Sequence, residues 1–268
     1  MIILYKKNTI CLKKALRLKN DIVGVKFIKT EEDFNNCKLE RISSQVNFCY
    51  MVRRAINGNH FKAMRDDFRC QNAVYAMGLK KPDIHVTSGE LLSICGLYEN
   101  AEIAKNVIDS MKYLDQSIYG LEIGPLSEME DVNAVIIVAN GEQTMRIFQG
   151  YTYHYGPAQN LLSMGNQAMC SDLVAKPLTN HDINISFFCK GARLYGQCEP
   201  GEIGVGMPAD MFSNVVNGVI QTLTPVESNE VKQEILDSLD SPDELGTEIK
   251  MDVSYSKTIA AYLKELKK

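Results

Sequence analysis

Two apolar runs with the same pattern stand about a hundred residues apart in the chain. DIVGVKFI (21–28) begins with aspartate, is rich in β-branched residues and is bounded by charged positions. DVNAVIIV (131–138) also begins with aspartate and ends before a polar turn. Short β-branched runs bounded in this way are typical of buried strands. The pattern therefore predicts one strand near the start of each half of the chain.

Helical periodicity fills most of the sequence between and after these runs. In GMPADMFSNVVNGVIQTL, the apolar residues Met211, Val215 and Val219 share one stripe, and Pro208 suits the first turn of a helix. The same reasoning predicts further helices over 8–18, 47–56, 71–78, 142–149 and 160–174, the last with Cys170 near its end, and strands in YTYHY (151–155) and INISFFC (183–189).

The chain also repeats a short motif that begins with an aromatic residue and a cysteine. FRCQNAVYAMG (68–78) is echoed by FFCKGARLYG (187–196). Each motif follows another cysteine at a similar distance, since Cys49 precedes Cys70 by 21 positions and Cys170 precedes Cys189 by 19. A repeated order of elements with repeated cysteines indicates an internal duplication.

These patterns predict an α/β or α+β protein built from two pseudo-symmetric αβ halves that arose by internal duplication. We assign the first half to residues 1–125 and the second to residues 126–224. Residues 225–268 are more acidic and poorer in apolar side chains, which predicts a helical C-terminal extension packed on the core.

Composition narrows the range of partners. The chain has 268 residues, 45% of them hydrophobic, and a formal net charge of −4. This charge balance disfavours nucleic acid and anionic membrane surfaces, which require a basic patch. A small molecule or a redox partner fits the composition better, and homo-oligomerisation stays open.

Localisation matters because it sets the chemistry of the eight cysteines. The N-terminus lacks the charged and apolar regions of a secretory signal, and no apolar run approaches the roughly 20 residues of a membrane helix. We therefore expect a cytoplasmic protein with reduced thiols.

The four repeated cysteines are the strongest candidates for a functional site. Thiolates select zinc, copper(I) or iron–sulfur clusters, and pseudo-symmetry would bring Cys49, Cys70, Cys170 and Cys189 together between the halves. Structural zinc sites usually show close C-x-x-C pairs, which are absent here.

Two alternatives for these cysteines stay open, core packing and redox or nucleophilic chemistry. The second suits Cys70 and Cys189, which stand beside Arg69 and Lys190 at predicted helix starts. The other four, Cys11, Cys37, Cys95 and Cys198, are expected to pack in the core.

Two weaker candidates are aromatic and glycine-rich. A strand at GYTYHYGPAQ would place Tyr151, Tyr153 and Tyr155 on one face, either lining a cofactor pocket or making ordinary cross-strand contacts. Gly204 and Gly206 have the spacing of a dinucleotide loop, but the preceding CEPGEI is not a buried strand. That segment is better interpreted as a glycine-rich approach to a helix that begins near Pro208.

Other catalytic motifs are missing from the sequence. It contains no G-x-S-x-G, no H-E-x-x-H and no P-loop, so no hydrolase or nucleotide triphosphatase is predicted. His60, His85 and His181 lie in polar segments without metal-type spacing and are assigned no role.

The chain as a whole resembles the uncharacterised ArCR family, domain of unknown function 169. The resemblance covers roughly residues 12–223 and is carried by LRLKNDIVGVKF, FCYMVRRA, CQNAVYAMGL, VNAVIIVANGEQTMRIFQG and ISFFCKGARLYG with GEIGVGMPADMFSNVVNGV. It implies a group found mainly in anaerobic archaea and bacteria, with no established activity. This chain lacks the prolines that relatives carry before VGVKF, and it has Gly191-Ala192 where relatives often have Gly-Ser or Gly-Gly.

Taken together, the sequence leads to two functional hypotheses. The first is a cytoplasmic metal-thiolate protein of anaerobic redox metabolism, with an iron–sulfur cluster or zinc as the cofactor. The alternative is a non-catalytic protein that binds a small molecule or cofactor between the two halves.

Overall fold

A computed structural model describes residues 2–115, 117–166, 168–241 and 243–266. The ends of the chain as assigned above, Met1, Lys267 and Lys268, lie outside the described residues. Six strands form one sheet: β1 (Val23–Ile28), β2 (Phe61–Met64), β3 (Gly120–Pro125), β4 (Ala134–Asn140), β5 (Asn184–Ser186) and β6 (Glu202–Pro208).

Helices cover most of the remaining described residues. In chain order they are α1 (Ile2–Leu16), α2 (Glu31–Asn36), α3 (Phe48–Ile56), α4 (Gln71–Ala76), α5 (Ile84–Thr87), α6 (Glu90–Ile94), α7 (Ala101–Ser110), α8 (Gly141–Tyr155), α9 (Lys176–Asn180), α10 (Lys190–Tyr195), α11 (Ala209–Gln221), α12 (Leu223–Val226), α13 (Asn229–Asp237) and α14 (Tyr255–Glu265). A π-helical turn, Ser171–Ala175, leads directly into α9.

The sheet has the strand order β2-β3-β1-β4-β6-β5, and its pairs among the described residues are antiparallel. The predicted mixture of helices and strands is therefore confirmed. Antiparallel pairing is the arrangement of an α+β fold, and a parallel α/β sheet would have required crossover connections between neighbouring strands.

Alternate residues of the strands point to opposite faces of the sheet, and each face carries its own core. Val135 and Ile137 of β4 pack with α1, α8 and α11, and we call this side the α11 face. Ala134, Ile136 and Val138 pack with α3, α4 and the π-helical turn, and we call this side the cysteine face. The period of two along β4 is what separates the two cores.

The α11 face is closed by direct contact between two helix backbones. A Cβ atom added to Gly218 of α11 would lie 2.1 Å from the carbonyl oxygen of Gly150 in α8. The predicted apolar stripe of α11 is confirmed, because Met211, Val215 and Val219 are all buried on this face. Two glycines let the helix axes approach closely enough to leave no gap between them.

The C-terminal residues add to the same face. Ile235, Leu245 and Ile249 are buried within its core, whereas α14 has no buried residue. Lys232 is fully buried, and its ammonium group donates hydrogen bonds to the carbonyl oxygens of Lys250 (3.0 Å) and Val253 (2.6 Å). Among the described helices, none has the length and apolar character needed to cross a membrane.

One predicted helix is wrong. The segment 160–174 was expected to be helical throughout, but the described residues before 171 form no helix, and regular structure begins only at the π-helical turn. Asn184 of β5 fixes the irregular chain by pairing with Leu162, whose N–H and C=O both bond to its side-chain amide at 2.8 Å. These hydrogen bonds replace those that a helix would have made.

Candidate functional site

The four repeated cysteines line a single cavity of about 170 Å³ on the cysteine face. We call it the cysteine cavity and define it by Cys49, Cys70, Cys170 and Cys189. Two of these cysteines come from residues 1–125 and two from residues 126–224. The structure therefore brings together side chains that lie up to 140 positions apart in the sequence.

Each cysteine stands at the beginning of a helical element. Cys49 is the second residue of α3, and Cys70, Cys170 and Cys189 directly precede α4, the π-helical turn and α10. This corrects the expectation that Cys170 lies near the end of a helix. The first N–H groups of a helix have no partner within it, so they are available to sulfur.

A backbone N–H group donates a hydrogen bond to one of these sulfur atoms. The N–H of Ala192 donates to Cys189 Sγ at 3.4 Å. Backbone hydrogen bonds from Tyr50 and Ser171 act on the Cys49 and Cys170 thiols in the direction that lowers their pKa. Hydrogen bonds to sulfur stabilise the thiolate form and tune metal centres that are bound through it.

The cysteines meet across the two parts of the chain. Helix α3, which carries Cys49, packs against α10, which follows Cys189, and α4 packs against the π-helical turn. Cys49 Sγ also donates a hydrogen bond to the carbonyl oxygen of Gly191 at 3.5 Å. Thiols contributed by residues 1–125 therefore face thiols contributed by residues 126–224.

The close approach of α3 and α10 depends on a glycine. A Cβ atom added to Gly196 would lie 3.1 Å from the carbonyl oxygen of Cys49 and 3.2 Å from its Cβ atom. The nearest atom to that Cβ position is the carbonyl oxygen of Ala192 in α10 itself, at 2.7 Å. A larger residue at position 196 would therefore crowd both the end of α10 and the Cys49 segment of α3.

The backbone is strained where the chain enters Cys189. Phe188 has a φ of +69°, in the left-handed region, although it is a bulky residue with a buried ring. This conformation costs about 1–3 kcal/mol and persists only where the surroundings impose it. Here the surroundings include Arg193, whose guanidinium group lies 5.0 Å from the centre of the Phe188 ring.

Burial dominates the electrostatics of the cavity. It raises the pKa of Cys49 to about 12, and the neighbouring thiols of Cys189 and Cys70 add to the effect. Burial also raises the pKa of Cys170 well above its ordinary value, again with contributions from Cys70 and Cys189. Thiols this difficult to ionise are poor nucleophiles, so Cys49 and Cys170 do not suit nucleophilic chemistry. The nucleophilic alternative at Cys70 and Cys189 stays a prediction.

A buried carboxyl group lies just beyond Cys170. Asp172 is 1% exposed and accepts hydrogen bonds from Ser186 Oγ at 2.7 Å and Ser163 Oγ at 3.2 Å. Burial raises its pKa to about 7, although both hydroxyl groups oppose the increase. Asp172 is not among the site residues predicted from sequence, where its one signal is an acid inside an apolar run.

The donor set of the cavity consists mainly of thiols, which are soft ligands. Besides the thiols, the residues that line the cavity include no Asp, Glu, His, Lys or Arg, and their polar side chains are those of Asn47, Asn72, Asn166 and Tyr195. Within the described parts of the chain, no three Cys, His, Asp or Glu side chains are close enough together to hold a single metal ion. Zinc at 2.3 Å from each sulfur would require sulfur atoms about 3.8 Å apart. In a four-iron cluster each thiolate binds a different iron atom, so the sulfur atoms stand farther apart.

The four remaining cysteines differ in how deeply they are buried. Cys11 and Cys198 are buried, as expected of core residues, and Cys37 is half-buried. Cys95 is exposed, so its predicted place in the core is wrong. It lies at the C-terminal end of the short helix α6, which has no buried residue.

The aromatic run is helical, and the predicted strand at 151–155 is wrong. Helix α8 starts from a capping box, in which Asn140 and Gln143 bond to each other's backbone N–H groups, and it continues without interruption to Tyr155. At helical spacing Tyr151 and Tyr155 share a face, and they line a second cavity. Tyr153 is 54% exposed and does not line that cavity.

Gly204 and Gly206 lie inside β6 and not in a loop, which corrects the expected glycine-rich approach to the helix. Both residues are in register with β4 and β5. A Cβ atom at Gly206 would lie 2.2 Å from the carbonyl oxygen of Leu173. The glycines therefore allow the π-helical turn to rest on the sheet and provide no phosphate-binding turn.

Comparison with known proteins gives a family but no activity. The family described as uncharacterised ArCR, domain of unknown function 169, matches residues 11–218. The chain is also similar to an uncharacterised protein of Methanocaldococcus jannaschii, with 25% identity over 217 residues that cover 80% of this chain and 93% of that protein. No solved structure matches the chain. The match over most of its length shows that the chain belongs to the uncharacterised ArCR family.

Proposed function

We propose that the cysteine cavity holds a metal–thiolate centre, a four-iron iron–sulfur cluster in its simplest form, and that the protein serves redox metabolism. One observation carries the proposal: four thiols, separated widely in the sequence, line one cavity. Such a cluster supplies one-electron chemistry when it is bound. The residues that would hold it are Cys49, Cys70, Cys170 and Cys189.

The surroundings of the thiols support a cluster over a single zinc ion. The lining is mainly apolar and contains no carboxylate or imidazole, and the N–H of Ala192 donates to Cys189 Sγ. Within the described residues, no three Cys, His, Asp or Glu side chains are close enough to hold one metal ion. A four-iron cluster does not require the sulfur atoms to converge on one ion, because each thiolate binds a different iron atom.

Internal duplication gives this site a simple origin. Exchanging β1 with β4, β2 with β5 and β3 with β6 converts the observed strand order into the same order read from the other edge. Under that exchange Cys49 corresponds to Cys170, and Cys70 corresponds to Cys189. We therefore propose two pseudo-symmetric halves, each contributing two ligands, with the boundaries at 125 and 224 retained as predictions.

The redox role and the cytoplasmic location belong to the same proposal. All eight cysteines are free thiols, which is the usual state in a reducing compartment. Such a compartment protects a cluster that is bound only by thiolates. The donor or acceptor of electrons would be a redox partner protein or a small molecule.

The proposal is tested by replacing each ligand with serine, which keeps the shape but not the thiolate. After anaerobic purification, Cys49→Ser, Cys70→Ser, Cys170→Ser and Cys189→Ser should each lose at least half of the bound iron and sulfide. Cys11→Ser, buried on the α11 face, and Cys95→Ser, on the surface, are the matched controls and should retain both. Equal iron content in all six variants would contradict the proposal.

The alternative is a small ligand between the halves, with the cysteines merely packing. The apolar lining of the cysteine cavity favours this reading, but its volume of about 170 Å³ is below the roughly 300 Å³ of typical ligand pockets. A thermal-shift screen with nucleotides, haem and flavin addresses it directly. Stabilisation of metal-free protein that is lost on filling the cavity would favour this alternative over the cluster.

A further inference from the structure

A second cavity opens on the α11 face, between α8, the end of α9 and the start of α11. It has a volume of about 310 Å³, at the lower end of the range for small-molecule sites. Its lining contains the tyrosines Tyr151 and Tyr155 and the carboxylates Asp182 and Asp210. We call it the tyrosine cavity.

Hydrogen bonds fix the aromatic wall of the tyrosine cavity. The two rings lie 5.1 Å apart between centroids. The Tyr151 hydroxyl group donates to Asp182 Oδ1 at 2.5 Å, and the Tyr155 hydroxyl group accepts from Asn214 Nδ2 at 2.8 Å. Tyr151 is 5% exposed whereas Tyr155 is 39% exposed, so Tyr155 presents ring surface to an incoming ligand.

The charge of the tyrosine cavity is negative. Asp182 accepts hydrogen bonds from Tyr151, from the N–H of Ile183 at 2.7 Å and from Asn160 Nδ2 at 3.3 Å, all of them neutral donors. Asp210 lies 3.4 Å from His181 Nε2, at the exposed rim. The lining thus contains two carboxylates and one histidine, with no lysine or arginine.

One basic residue lies near the cavity without lining it. Burial lowers the pKa of Lys176, as does nearby Lys112, while the charges of Asp172 and Asp182 oppose the decrease. The positive charge of Lys176 therefore interacts with both the Asp172 and the Asp182 carboxylates. Its ammonium group does not occupy the space beside Tyr155.

We propose that the tyrosine cavity is a binding site for a small organic cation, with an ammonium group held between the Asp182 and Asp210 carboxylates and the ring of Tyr155. Carboxylates attract the charge over a distance, and aromatic faces stabilise it at contact. A neutral ligand of the same shape would gain neither contribution. This site is independent of the cysteine cavity, which lies on the opposite face of the sheet.

Isothermal titration calorimetry of the purified full chain tests the proposal with choline, with putrescine, and with 3,3-dimethylbutan-1-ol, which has the shape of choline without its charge. We expect at least one of the two cations to bind about tenfold more tightly than the neutral alcohol. Binding of neither cation, or equal binding of the neutral alcohol, would overturn the proposal.

Variants locate the binding. Asp182→Asn should weaken the cation that binds by about tenfold, and the matched control Asp237→Asn, an equal charge change on the exposed surface of α13, should leave it unchanged. Since Asp182 also holds Tyr151 in place, Tyr155→Leu provides a second variant that removes a ring and keeps apolar bulk. Asp182→Asn and Tyr155→Leu should each unfold at a temperature close to that of the parent protein. If folded Tyr155→Leu binds the cation as the parent does, the site is elsewhere.

Discussion

The two faces of the sheet share the same strands but are filled in different ways. On the α11 face, Gly150 and Gly218 let two long helices touch backbone to backbone. On the cysteine face, short helical elements begin at Cys49, Cys70, Cys170 and Cys189 and leave a cavity between them. The α11 face is not closed everywhere, because the tyrosine cavity also opens on it. The two cavities differ in their linings, with thiols on the cysteine face and tyrosines with carboxylates on the α11 face.

The largest loss of stability should follow from forcing α8 and α11 apart. Gly218→Val places side-chain atoms where the Gly150 carbonyl oxygen lies, so the free energy of unfolding should fall by about 3 kcal/mol. Gly141→Ala on the same helix pair is the control, because nothing lies within 4 Å of its Cβ position. Denaturant titration of both variants measures the difference. Equal stability of the two would show that the α8–α11 contact is looser than described.

Widening the cysteine face should cost less stability but change the site. Gly196→Ala would crowd the Ala192 carbonyl oxygen and the Cys49 segment, lowering the free energy of unfolding by about 2 kcal/mol. It should also lower the iron content, because the Cys49 segment has to shift to make room for the new Cβ atom. Iron analysis beside a urea titration tests both effects. Parent-like iron with reduced stability would mean that Gly196 serves packing alone.

Filling the cysteine cavity with a larger side chain distinguishes a binding site from a packing defect. Ala73 is buried at the cavity wall, and Ala73→Leu adds apolar atoms to the open space. In metal-free protein this change should raise the free energy of unfolding by about 1 kcal/mol, as other cavity-filling substitutions do. In protein purified without oxygen it should exclude the metal centre. If Ala73→Leu retains full iron, the centre is bound somewhere else.

The smallest change in stability is expected for a cysteine that lies in neither core. Cys95→Ser alters an exposed thiol and should change the free energy of unfolding by less than about 0.5 kcal/mol, with unchanged iron content. Thermal unfolding and iron analysis check this directly. A large loss of iron here would extend the site beyond the four repeated cysteines.

Part of this contrast was predictable from sequence. The apolar stripe of α11 and the repeat of the cysteines are both visible as regular spacings in the sequence. In the structure Met211, Val215 and Val219 are buried, and the four cysteines line one cavity. The prediction of a strand at 151–155 was wrong. These residues have local β propensity, but in the structure they continue helix α8. Tyr151 to Tyr155 has the i, i+4 spacing of a helix face, and that signal was available.

Other features depend on contacts that no local pattern encodes. The glycines at 204 and 206 have a dinucleotide-loop spacing, yet they are needed because Leu173 approaches the strand. The left-handed conformation of Phe188 and the burial of Asp172 likewise arise from neighbours distant in sequence. Tyr151 and Tyr155, which were predicted as pocket residues, do line the tyrosine cavity, but its remaining lining could not be predicted because His181, Asp182 and Asp210 come from segments that meet only in the folded chain.

The central claim is tested most directly by anaerobic purification of the unmodified protein, followed by iron, zinc and acid-labile sulfide analysis with a visible spectrum. We predict about four irons and four sulfides per chain, one thiolate for each iron, and a brown protein. A colourless, folded protein without iron or zinc would contradict the claim and identify the four cysteines as core packing.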